Sequence, residues 1–268
     1  MGFDVTYHAF SPADMQDIFF APLEKPELSS EIVAAYHIED FNAKKLEEAY
    51  QEARKSLPPK ADADFANGPG FLLAVAAGIV REYDYARGAA FSFCVGKNPA
   101  FVEYISDWRE LVPESWRAMT FPNRITENYC LGVYLQPEAL RRFHSDYQTR
   151  ADIKATFDEV FGANTDSVFW RAVEDALASD RGLIEAADII EPHPFNLADS
   201  KGYADFHRCR PEGLELYAST AQAQLASVAQ EKGWNVRAPI QQEVIRVPTA
   251  EAEKLGFVDK LRRWLGRH

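Results

Sequence analysis

The longest apolar run in the chain lies between Asn67 and Tyr83: Asn67-Gly68-Pro69-Gly70, then ten residues from Phe71 to Val80, then Arg81-Glu82-Tyr83. A bilayer span needs about twenty such residues. An element that is apolar on every side is a helix inside a protein core. Ala74, Ala77 and Gly78 carry almost no side chain, so other elements can approach closely there. The pattern predicts a central buried helix around which the remaining elements are arranged.

Upstream, Phe3, Val5 and Tyr7 alternate with Asp4, Thr6 and His8, the two-residue period of a half-buried strand. It stops at Ser11-Pro12, a good N-cap followed by a residue favoured at the first helical position. The same strand–proline–helix order is predicted at Phe91–Val95 before Pro99, Tyr129–Leu135 before Pro137, Phe206–Arg210 before Pro211, and Val244–Val247 before Pro248. Spacing between these junctions is irregular, which excludes a solenoid. Proline ends a strand and presets φ for the helix that follows.

Helical spacing is predicted over 41–56, 99–111, 137–148 and 152–161, the last ending at Gly162. Asn164 or Thr165 then caps a helix through Val168, Phe169, Trp170, Val173 and Leu177. Residues 183–190 fit a short helix or a strand, and 212–232 a long helix before Gly233. Residues 235–247 hold two strand-like pieces around Pro239, and 255–268 a basic stripe with Leu261, Trp264 and Leu265. Two prolines bracket His193, so 191–202 is a loop and the candidate boundary within one compact domain, 1–268. Helices outnumber short strands, which predicts a helix-rich α+β fold with a small mixed or antiparallel sheet.

Charge narrows the partners. The 268 residues include 41 acidic and 29 basic side chains, a net charge of −12. Such a surface repels nucleic acid and anionic membranes and suits a basic protein partner. Three cysteines, Cys94, Cys130 and Cys209, with no C-x-x-C pair, point to a reducing compartment rather than a disulfide framework. The first residues show no basic and apolar leader, so a cytoplasmic location is expected.

Nucleotide loops, the nucleophile elbow, the H-E-x-x-H zinc motif and the EF-hand loop are absent from the sequence. Potential ligands concentrate at His193, Asp199, His207 and Cys209, a donor set suited to zinc; on a strand His207 and Cys209 would share a face. Arg208 and Arg210 flank Cys209 and would lower its thiol pKa. Asp4 with His8, and His37 beside two carboxylates, are lesser acid–base candidates. Trp108-Arg109 and Trp116-Arg117 are candidate contacts, since Trp and Arg are the commonest interface anchors and Pro113 and Pro122 place Trp116 in an irregular, exposed segment. Trp170 is read as core and His144 as solvent-facing.

Three functions fit. The first is a non-enzymatic protein-binding module without a cofactor, such as an antitoxin- or immunity-type neutraliser of a basic protein, since opposite charge speeds association. The second is a metal- or thiol-dependent hydrolase built on the His/Asp/Cys set, with zinc. The third is a self-assembling structural subunit.

Overall fold

The computed structural model of the chain describes residues 2–232. The fold is helix-rich α+β. Four strands, β1 (Asp4–Phe10), β2 (Tyr83–Arg87), β3 (Leu131–Leu135) and β4 (Gly182–Ala187), form an antiparallel sheet in the order β2-β1-β4-β3. A short ladder pairs β5 (Ile190–Glu191) with β6 (Lys201–Gly202). The α-helices among the described residues are α1 (Pro12–Met15), α2 (Ala21–Glu24), α3 (Leu28–Ala35), α4 (Asp40–Arg54), α5 (Phe71–Val80), α6 (Phe91–Lys97), α7 (Trp108–Leu111), α8 (Pro137–Thr149), α9 (Ala151–Ala178) and α10 (Pro211–Glu231). Segments 235–247 and 255–268, with the Val247–Pro248 junction, lie outside the described residues.

The sheet is covered on both faces. Every residue of α5 is buried, and the helix packs against β1, β4 and α4. On the opposite face α9 lies across β1, β2 and β4, with α6 and α8 beside it. This corrects the reading of the first strand as half-buried: Asp4, Thr6 and His8 are buried as fully as Val5 and Tyr7. An alternating strand normally turns its polar side to water. Here α5 covers that side, and the polar groups other than His8 Nδ1 find partners within the protein. His8 Nε2 lies 3.0 Å from Thr6 Oγ1, and the Tyr85 hydroxyl donates to Asp4 at 2.6 Å. Gly78 allows this approach, because a Cβ there would stand 3.2 Å from the His8 ring and 2.8 Å from Ala204 Cβ.

Local signals fixed several boundaries. Ser11 caps α1 in a reciprocal capping box with Asp14, with Pro12 next to it. Pro137 and Pro211 open α8 and α10. Gly162 and Asn164 adopt left-handed φ values of 62° and 79°, but α9 runs through them, so the two helices expected on either side of Gly162 are one 28-residue helix with a local distortion there. Two expected strands are not strands. Phe91–Val95 belongs to α6, and Phe206–Arg208 is a 3₁₀ turn. Residues 99–111 divide into a 3₁₀ helix, Pro99–Tyr104, and α7.

The start of α6 depends on residues distant in sequence. Ala90 offers no capping side chain, but the Phe91 N–H donates to the Tyr7 hydroxyl and the Ser92 N–H to Glu185 Oε2, at 3.1 and 3.2 Å. A carboxyl oxygen of β4 therefore accepts one of the N–H groups that a helix N-terminus leaves without an intrahelical partner. The 191–202 loop is anchored at both ends. β5 pairs with β6, the Tyr203 N–H donates to the Ile189 carbonyl at 2.8 Å, and Lys45 of α4 donates to the Gly202 carbonyl at 2.9 Å.

Candidate functional site

The two Trp-Arg pairs separate into core and surface. Trp108 is buried, with its indole N–H donating to the Gly132 carbonyl at 2.9 Å. Trp116 is buried against Phe20 and Phe65. The prolines around Trp116 do not expose it, and both indoles serve packing. Arg109 and Arg117 are exposed, and the Arg109 guanidinium lies 5.4 Å from the Phe121 ring centre.

The proposed metal ligands do not converge. His193 and Asp199 are exposed and engaged within their own loop. His193 Nδ1 accepts from the Asn196 N–H at 3.0 Å, and Asp199 accepts from the Asn196 amide at 2.7 Å. His207 is exposed and Cys209 is buried, on a turn rather than a strand. Among the described residues no three His, Cys, Asp or Glu side chains are grouped to hold a metal ion. Burial pushes the Cys209 thiol well above its ordinary range, and nearby Asp84 adds to the effect. Its sequence neighbours turn elsewhere: Arg208 donates to the Tyr36 carbonyl, and Arg210 pairs with Asp84 and Glu82. Asp4 and His8 are buried, while His37 is exposed on the turn before α4. Burial lowers the His8 pKa to about 3, so the ring is neutral.

A different set of residues shapes an open groove of about 590 Å³ between α8 and α9. His144, Tyr147 and Gln148 of α8 form one wall; Asp166, Trp170, Val173, Glu174 and Leu177 of α9 form the other side. The spacings are three, four and seven residues, those of a single helix face. Trp170 is half-buried. Phe143 stacks beneath it at 5.3 Å and 11°, His144 meets it edge-on at 5.4 Å, and Tyr147 lies 4.8 Å away. The indole is thereby held rigidly while part of it faces the groove.

Its electrostatics are one-sided. Asp166 and Glu174 stand one turn on either side of Trp170, and neither is in an ion pair among the described residues. Among the described residues no lysine or arginine lines the groove. Aromatic faces and carboxylates together attract cations. The same chemistry operates next door, where Lys154 Nζ lies 4.5 Å from the Tyr147 ring centre and donates to Asp158 at 2.7 Å. The arrangement can hold a positively charged group. The signal for it is legible in the sequence as Asp166, Trp170 and Glu174 at four-residue intervals, hidden by the equally good fit of Trp170 to a core position.

The strongly perturbed carboxylates lie elsewhere. Burial raises Glu185 to about 7, and raises Asp188 to about 6 beside Asp4. Glu185 sits in the core of the sheet, and neither residue lines the groove. No family model, curated protein or solved structure matches the chain.

Proposed function

We propose that the chain is a non-enzymatic protein-binding module that engages a basic protein partner, as a neutraliser of the antitoxin or immunity type does. The observation that carries this reading is the α8–α9 groove, where an anchored indole lies between two carboxylates that have no basic partner among the described residues. A net charge of −12 extends the attraction beyond contact range and favours fast association with a cationic protein. No described helix is long and apolar enough to cross a membrane. Three unpaired, buried cysteines suit a reducing compartment such as the cytosol.

The test is site-directed. A photo-crosslinking residue replaces Gln148, and lysate of the native host is irradiated with the full chain. The reading requires one dominant adduct to a basic protein. That adduct weakens as salt rises, because screening shortens the range of exposed charges to about 8 Å at physiological ionic strength. It is also lost in the double variant Asp166→Asn with Glu174→Gln. An adduct unchanged by salt and by the double variant overturns the reading.

A further inference from the structure

The groove has a repeat along its length that specifies what it takes. This inference rests on the protein-binding reading and gives the partner segment a conformation and a charge spacing. Asp166, Trp170 and Glu174 follow one another at four-residue intervals on α9. At a rise of about 1.5 Å per residue, each is about 6 Å from the next, and the two carboxylates are about 12 Å apart. An extended chain advances about 3.3 Å per residue and turns every second side chain to the same side. Its residues i, i+2 and i+4 therefore recur about every 6.6 Å, close to the acid–aromatic–acid interval.

We infer that the α8–α9 groove holds an extended basic segment of a partner protein, with cationic side chains at i and i+4 against Asp166 and Glu174, and residue i+2 on Trp170. Charge complementarity supports the occupant, since among the described residues the groove offers two carboxylates and no lysine or arginine. Arginine suits both ends better than lysine, because its planar guanidinium pairs with carboxylates in a two-point fork and stacks on aromatic rings.

The experiment titrates the full chain with two acetylated, amidated peptides of identical composition. One is Gly-Arg-Ala-Leu-Ala-Arg-Gly; the other is Gly-Arg-Arg-Ala-Leu-Ala-Gly. The Trp170 indole N–H resonance reports groove occupancy, and calorimetry gives affinity. The spaced peptide is expected to bind at least about tenfold more tightly than the adjacent-arginine peptide, the discrimination worth roughly 1.4 kcal/mol. It should move the Trp170 resonance, and it should lose both effects in the Asp166→Asn, Glu174→Gln variant. Equal affinity for the two peptides overturns the spacing and conformation while leaving a general basic partner in place. A shift in the Trp170 resonance when Lys260, Arg262 and Arg263 are replaced by glutamine, with no peptide added, would assign the groove to this chain's own segment and overturn the inference. Failure of the crosslinking test, by contrast, removes the protein-binding reading itself.

Discussion

Gly132 and Glu185 share a place in the sheet that only one of them can fill. A Cβ built on Gly132 would stand 2.9 Å from Glu185 Cγ and closer still to its Oε1. The register between β3 and β4 shifts between Leu131 and Tyr134, so β3 bulges at this point. The Gly132 carbonyl accepts the Trp108 indole N–H, tying the irregular 104–121 stretch to the sheet. Gly132→Ala is expected to destabilise the fold by about 1–3 kcal/mol, as overpacking of a dense core does. The check is denaturant unfolding of Gly132→Ala, Glu185→Ala and the double variant. The double variant should cost less than the sum of the two, because removing the Glu185 side chain clears the space that the alanine needs.

Glu185 also sets a pH dependence. Burial raises its pKa from 4.5 to about 7, although N–H groups of Phe91, Ser92 and Val133 oppose the shift. The folded chain thus holds a proton that the unfolded chain releases, and stability contributed by this group falls as pH rises from about 4.5 to 7. The effect is on the order of 3 kcal/mol. His8 acts in the opposite sense. Its pKa falls from 6.5 to about 3, so its contribution falls as pH drops through that interval. Unfolding free energies of the parent chain and Glu185→Gln at pH 5, 6, 7 and 8 separate the two. The variant should gain on the parent steadily up to pH 7 and hold that gain at pH 8. A constant difference across the series would show that Glu185 does not titrate in this range.

Docking of α10 depends on one buried carboxylate. Asp84 of β2 accepts from Arg171 Nε at 2.9 Å and from Arg210 Nη1 at 3.0 Å, so β2, α9 and the residue preceding α10 meet at this group. Arg171 also pairs with Glu212, and Arg210 with Glu82 and Asp175. Asp84→Asn leaves two half-buried guanidinium groups without their shared anion and is expected to cost about 3 kcal/mol. Amide exchange at 211–217 should quicken more than in α5, and equal protection in both would remove Asp84 as the anchor.

Variants in the groove should divide by role. Trp170 packs on Phe143 and Phe157, so Trp170→Ala is expected to lower stability by about 3 kcal/mol or more. Glu174 is exposed and outside any ion pair among the described residues, so Glu174→Gln should change stability by less than about 0.5 kcal/mol. Thermal unfolding of both distinguishes them. This makes Glu174, not Trp170, the residue on which to judge binding.

The elements legible in the sequence were those whose cause is local. The all-apolar 71–80 run, the Ser11-Pro12 cap and the Pro211 helix start need no distant partner, and each is found where its residues place it. The misread elements depend on contacts across the fold. Phe91-Ser92-Phe93-Cys94-Val95 has strand-like composition, yet Tyr7 and Glu185, more than eighty residues away in sequence, secure its first helical turn. Asp4, Thr6 and His8 alternate as a wet face would, and only the position of α5 buries them. Trp108 and Trp116 drew attention through neighbouring prolines, while the half-exposed indole, Trp170, lies inside a regular helix.

The strand order carries a consequence for how the chain is made. β1 lies between β2 and β4, with Val5 opposite Ala86 on one side and Ala187 on the other. The ribosome produces this segment before either neighbour, and the second of them some 180 residues later. At about 5–20 residues per second, the delay is roughly ten to forty seconds. Through that interval the nascent segment carries apolar side chains and unpaired amides along the edge that only the later β4 can satisfy. Its interspersed Asp4, Thr6 and His8 keep the waiting strand from being continuously apolar, and the same residues become interior groups once the sheet closes.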